Sequence, residues 1–139
     1  MYIIDEGKQV GVLYHFTEPT RLKSILGNKG LKSFREYISF TRNFNLQKQS
    51  IYLKDSTIRL AFDGNKLSEK FKIEPFLDDV NGGRGSGEYE ERIVWPRSKI
   101  LPCLFALKQI VVLEKDRYQV EKLNINFPLY FVDSFKPYR

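Results

Sequence analysis

Cysteine and histidine occur once each in this 139-residue sequence, as Cys103 and His15. A lone cysteine forms no internal disulfide, and in the apolar setting LPCLFAL it reads as a buried small hydrophobe suited to a reducing compartment, so a cytoplasmic location is expected. One cysteine and one histidine do not make a structural zinc centre, and the acidic residues lack the spacing of a calcium loop, so no metal is expected. Long apolar runs are missing too. No stretch approaches the roughly 20 residues that span a bilayer, and the start MYIIDEGKQV has neither the basic nor the apolar segment of a secretory signal, so no membrane partner is expected. GxGxxG after a strand, GxxxxGK[ST] and GxSxG are all absent, which leaves dinucleotide-fold, P-loop and hydrolase-elbow readings unsupported. The parts of a papain-like or trypsin-like site are not there either.

Aromatic residues make up 14% and hydrophobic residues 42% of the sequence, against 29% charged, a balance that predicts one globular domain over residues 1–139. The net charge is +6, with basic ends and a mildly acidic stretch between residues 51 and 96. Such a surface attracts an anionic partner, a dinucleotide or a nucleic acid, and is equally an ordinary solubility charge.

Val10 to Thr17 (VGVLYHFT) is apolar and rich in β-branched and aromatic residues, which predicts an early central strand with His15 near its end. Glu18-Pro19-Thr20 opens a short amphipathic helix carrying Leu22, Ile25 and Leu26, and Gly27-Asn28 with Gly30 closes it. Glu36 to Arg42 (EYISFTR) alternates as a strand, with Tyr37, Ser39 and Thr41 on one face and Ile38 and Phe40 on the other. Asn43 to Ser50 is polar and reads as a loop or a short helix. Ile51 to Leu53 and Thr57 to Phe62 read as paired strands about Lys54-Asp55-Ser56. Asp63-Gly64-Asn65 breaks the second, a helical turn or short helix starts at Lys66, and the chain extends again from Phe71 to Phe76. Farther on, Lys108 to Glu114 predicts a buried strand, and Asp116 to Leu123 a short helix with Tyr118, Val120 and Leu123 on one face. Pro128 to Val132 is the last strand, and the sum is a strand-rich α+β domain with two or three short helices.

The most distinctive stretch is Gly87 to Pro96, GEYEERIVWP, where Glu88, Glu90 and Glu91 precede an apolar run. As a strand it sets Glu88, Glu90 and Arg92 on one face and Tyr89, Glu91, Ile93 and Trp95 on the other. Carboxylates roughly 7 Å apart along a strand can divide labour, one orienting a hydroxyl or nucleophile and the other stabilising positive charge. The same pattern also describes a charged edge strand that discourages aggregation. Four glycines between positions 82 and 87 surround Arg84 just upstream, either a loop able to close over a ligand or a plain connection. His15 and the Ser39/Thr41 face are the other polar features, each of which also reads as an ordinary edge or surface.

Taken in order, Leu13-Tyr14-His15-Phe16-Thr17, then Leu22, Ser24-Ile25-Leu26 and Gly30-Leu31, then Ile38-Ser39-Phe40-Thr41-Arg42, then Arg84 ahead of Glu88-Tyr89-Glu90, the sequence resembles the ADP-ribosyltransferase superfamily. The nearest flavour is that of its compact bacterial and phage members, which include DNA-modifying toxins. The resemblance implies an ADP-ribosyltransferase-like split β-sandwich of two small sheets with NAD in the cleft between them. It implies a mono-ADP-ribosyltransferase acting on DNA, RNA or protein, with a place in toxin or phage–host conflict. By the same resemblance His15 and Thr17 bind the adenosine side of NAD, Ser39 and Thr41 shape the nicotinamide-ribose pocket, and Arg42 contacts pyrophosphate or substrate. Glu90 is the expected catalytic carboxylate, Glu88 the group that orients or deprotonates the acceptor, Glu91 the alternative carboxylate, and Arg84 the substrate-binding residue. The chain departs from arginine-modifying members in having His15 where they carry arginine. The tyrosine of poly-ADP-ribose enzymes has only Tyr37 and Tyr52 as candidates. An RNA 2′-phosphotransferase on the same scaffold, with Arg42 and Arg84 as pocket cations, and a non-catalytic nucleic-acid-binding module are the alternatives.

Overall fold

A computed structural model describes residues 3–4, 8–9, 11–45, 53, 55–75 and 90–138, the first two pairs by backbone alone. Seven strands form one mixed sheet. In sheet order they are β11 (Leu129–Val132), β10 (Leu107–Leu113), β6 (Ile58–Asp63), β3 (Val12–Thr17), β5 (Tyr37–Thr41), β8 (Glu90–Val94) and β7 (Ile73–Pro75). Two small ribbons complete the strands: β1 (Ile3–Ile4) with β2 (Lys8–Gln9), and β4 (Leu31–Lys32) with β9 (Ile100–Leu101). Three short α-helices, α1 (Pro19–Asn28), α2 (Gly64–Lys70) and α3 (Arg117–Glu121), are the α-helices of the described residues. The α+β class is therefore the one the patterning predicts. Instead of two separate small sheets there is one, almost parted in the middle.

The parting lies between β3 and β5. On its far side β3 pairs with β6 over its whole length, Val12 with Asp63 through Thr17 with Ile58, whereas toward β5 the single registered pair is Tyr14 with Thr41. Beyond that pair no registered pairing joins Phe16–Thr17 to Tyr37–Ser39, a gap in the ladder between the two halves. Tight pairing resumes across β5 and β8, five registered pairs from Tyr37–Val94 to Thr41–Glu90.

The β6 segment is buried on both faces and flanked by β3 and β10, as a near-continuous apolar run demands. Both of its edges are thus occupied, which corrects the expected hairpin with Ile51 to Leu53: Leu53 lies in a turn closed by the Ser56 N–H on its carbonyl (2.9 Å), and residues 51–52 lie outside the described set. The strand ends at Asp63 as expected, and α2 starts at Gly64, two residues before the expected Lys66, because the Asp63 carboxylate accepts from the N–H groups of Asn65 and Lys66 (3.0 and 3.1 Å). Helix α1 begins at Pro19 and buries Leu22 and Ile25. Gly27 lies inside it, and the left-handed residue that ends it is Lys29 (φ 58°), with the Gly30 N–H returning to the Ile25 carbonyl. Gly30 is required for a different reason, since a Cβ there would collide with the Leu101 carbonyl of the β4–β9 ribbon. In α3, Val120 is buried but Tyr118 is 73% exposed, so the predicted common face is wrong: residues two apart on a helix point in nearly opposite directions.

One sheet face, carrying Leu13, Ile38, Phe40, Leu60, Ile93, Ile110 and Val112, packs with Leu22, Leu67 and Val120 of the three helices into the main core. Cys103 belongs to it, fully buried, and burial pushes its thiol pKa up to about 12, where it behaves as an apolar group. The opposite face of the β3 half carries Tyr14, Phe16, Ala61 and Val111, covered by the C-terminal segment through Phe135 and Tyr138. Arg59 is buried there, its guanidinium over the rings of Tyr14 (4.5 Å) and Phe135 (5.3 Å) and donating to the carbonyls of Phe44 (3.0 Å) and Lys136 (2.6 Å). Carbonyl dipoles and π faces compensate a buried cation there.

Candidate active site

His15 comes from the β3 half and lies at the gap. Its Nδ1 is 3.1 Å from the carbonyl oxygen of Ser39 on β5, and its ring meets Phe40 edge-on at 6.1 Å. A carbonyl only accepts, so Nδ1 carries the proton, and Nε2 is left as a hydrogen-bond acceptor. Burial lowers the pKa of His15, the Ser39 hydrogen bond opposing this in part and the Arg21 charge adding to it, so the ring is held neutral.

From the other half, the Ser39 hydroxyl donates to Glu90 Oε2 (2.7 Å). Arg92, two residues on and on the same face, brings Nε to the same oxygen (2.7 Å) and Nη2 to Oε1 (3.4 Å). The Arg92 guanidinium lies 3.8 Å above the Tyr37 ring, so Tyr37, Ser39, Glu90 and Arg92 form one cluster on the non-core face of the β5–β8 pair. The Glu90 side chain remains 20% exposed. It is held at both oxygens and reachable. Its neighbour Glu91 points the opposite way, into the core, with its side chain wholly buried and Arg42 Nε 3.4 Å from Oε1. A buried carboxylate matched by a guanidinium is a structural pair, and Arg42 is committed to it. The Thr41 hydroxyl accepts from the Asn43 N–H (3.0 Å) and shapes the turn that leaves β5.

A cavity of about 480 Å³ opens beside His15, between the end of β3, helix α1 and the loop after β4. Thr17, itself buried, lines it, together with Thr20, Arg21, Ser24 and Asn28 of α1, and with Lys32 and Phe34. It is within the size range of small-molecule sites, and it offers hydroxyls, an amide, cations and the Glu18 carboxylate, which lies 4.0 Å from Arg21 and accepts from the Thr20 hydroxyl (3.2 Å). Ser39, Thr41, Arg42 and Glu90 are not in its wall. The link between cavity and carboxylate is the short chain from His15 to the Ser39 backbone and from the Ser39 hydroxyl to Glu90. Thus the fold sets His15 and Thr17 at the cavity on the core side of the sheet and Ser39 with Glu90 on its opposite face, linked through the His15–Ser39 contact, while Glu91 is buried in the core and pairs with the half-buried Arg42. Glu88, Arg84 and Tyr52 lie outside the described residues.

Arg92 and the polar stripe of α1 had not been singled out in the sequence. Their signals were present: Arg92 shares a strand face with Glu90, and Arg21, Ser24 and Asn28 recur at i, i+3 and i+7 beside the apolar face of Leu22 and Ile25. Among the described residues no group of His, Cys, Asp and Glu side chains could hold a metal ion, and no helix is long and apolar enough to cross a membrane. Comparison with family models and with curated proteins yields no match for this chain.

Proposed function

We propose that this protein is an NAD-dependent mono-ADP-ribosyltransferase acting on a macromolecule, DNA, RNA or protein, and that its nearly parted sheet is an ADP-ribosyltransferase-like split β-sandwich. The observation that carries this reading is the Ser39–Glu90–Arg92 cluster at the seam, tied through the Ser39 backbone to a histidine that lines a nucleotide-sized cavity. The lining suits a dinucleotide: Nε2 of His15 accepts from a ribose hydroxyl, hydroxyls on α1 donate, and Arg21 and Lys32 match a diphosphate. NAD supplies an ADP-ribosyl group on a good leaving group, nicotinamide.

Glu90 stabilises the positive charge that develops on the ribose as the glycosidic bond loosens, and it holds a ribose hydroxyl while doing so. A fixed carboxylate is worth more against that charge than against the neutral ground state, which is how it accelerates the step. Ser39 and Arg92 fix both Glu90 oxygens beforehand, so little reorganisation is needed on reaction. Nicotinamide leaves with the bonding pair, and the acceptor nucleophile forms the new bond to the ribose carbon and gives up its proton. Glu91 takes no part, since it is sealed in the core.

Incubation with NAD labelled in the adenylate half and a cell lysate tests the reading. Label is expected on nucleic acid or protein, and Glu90→Gln is expected to lower transfer by about 10²–10³-fold, the usual cost of one preorganised charge-stabilising group. Transfer undiminished by Glu90→Gln, or label that stays in free nucleotide with every fraction offered, would refute it.

A further inference from the structure

Phe34 is 59% exposed, yet the backbone on both sides of it is fixed. Ser33 is fully buried, and its hydroxyl donates to the Arg35 carbonyl, with the carbonyls of Tyr37 and Trp95 each 3.4 Å away. Its N–H reaches the Lys99 carbonyl (3.0 Å), its own carbonyl accepts from Ser98 (2.7 Å), and the Trp95 N–H donates to Glu36 (3.1 Å). Arg97 Nε donates to the carbonyl of Phe34 itself (3.3 Å). The exposed ring therefore stands on a braced loop, forms part of the cavity wall, and carries the Arg21 guanidinium 4.9 Å from its centroid. Tyr118 is the useful contrast: it is more exposed and also has a cation over its ring, but it is not in the wall of this cavity. A single exposed aromatic is ordinary; one braced at the wall of a cavity beside a cation is a ready surface for a flat ring, with little ordering left to do on binding.

The chemistry that matches a π face beside cations is a nucleotide, a flat base joined to phosphate. We propose that Phe34 is the base-stacking platform of the cavity, seating the adenine of an adenine nucleotide, and that Arg21 turns from the ring to the phosphates. The choice of adenine rests on the transferase reading, but the stacking itself is measured without any transfer reaction.

The test is calorimetric titration of the full chain with ADP and with ribose 5-phosphate, which lacks the base. ADP is expected to bind and Phe34→Ala to weaken it about tenfold, within the range one base stack supplies, while the weaker binding of ribose 5-phosphate is unchanged. Phe34→Trp should keep ADP affinity and show fluorescence quenched by ADP; Arg21→Gln should weaken both ligands. Phe34→Ala binding ADP as tightly as the parent, no quenching in Phe34→Trp, or no ADP binding at all overturns the proposal. ADP binding that depends on Phe34 in a protein that transfers no label from NAD supports the platform and removes the transferase reading alone.

Discussion

The two halves of the sheet are built on different terms. In the β3–β6–β10 half, ladders run the length of the strands, Ile58, Leu60 and Phe62 are fully buried, and even the cation Arg59 is closed over by the C-terminal segment. In the β5–β8 half one face packs into the core through Ile38, Phe40 and Ile93, and the other keeps a serine, a glutamate, an arginine and a tyrosine in mutual contact. The first half is closed on both faces, and the second keeps a polar cluster on one of its two. The single Tyr14–Thr41 pair is where the registered ladder joins them. Adjacent glutamates on β8 compress the contrast into two residues, Glu91 serving the core and Glu90 the seam.

That contrast is broken or sharpened most strongly at Glu91. Glu91→Gln leaves Arg42 without its buried counter-charge and is expected to cost about 3–5 kcal/mol of stability, whereas Glu90→Gln should stay within about 1 kcal/mol of the parent. Urea denaturation of the two variants decides it, and equal losses would erase the distinction between core and seam carboxylates. A smaller effect comes from His15. Its folded pKa lies below the ordinary value of 6.5, so the unfolded chain binds the proton more readily. The neutral ring's contribution is fully present above pH 6.5 and is lost as pH falls from 6.5 through the lowered folded pKa. A plot of unfolding free energy against pH should show that acid-side loss in the parent and show it reduced in His15→Gln. Equal acid sensitivity in the two would mean that the ring is not held neutral at the gap.

Much of this was legible locally. Periodicity placed strands at Val10 to Thr17, Glu36 to Arg42 and Lys108 to Glu114, where Val12–Thr17, Tyr37–Thr41 and Leu107–Leu113 are found, and it placed helix α1; alternation assigned Glu90 and Glu91 to opposite faces. What was not legible depends on distant partners. Nothing between residues 51 and 62 reveals that β6 prefers β3 and β10 to its own upstream neighbour, because pairing is settled by burial on both faces. Arg59 is buried by partners that include Phe135 and Lys136, the latter 77 residues later, which no local pattern contains. Phe34 and the stripe on α1 were ordinary surface until the fold set them around one cavity. The Ser39–Glu90 bond joins residues 51 apart, so no local pattern contains it.

That bond is the centre of the account, and a double-mutant cycle on nicotinamide release tests it most directly. With Ser39→Ala, Glu90→Gln and the double variant measured alongside the parent, Ser39 acts only by holding Glu90, so the double variant should be no slower than Glu90→Gln alone. Losses that simply add, or a Glu90→Gln protein that releases nicotinamide at the parental rate, would contradict it.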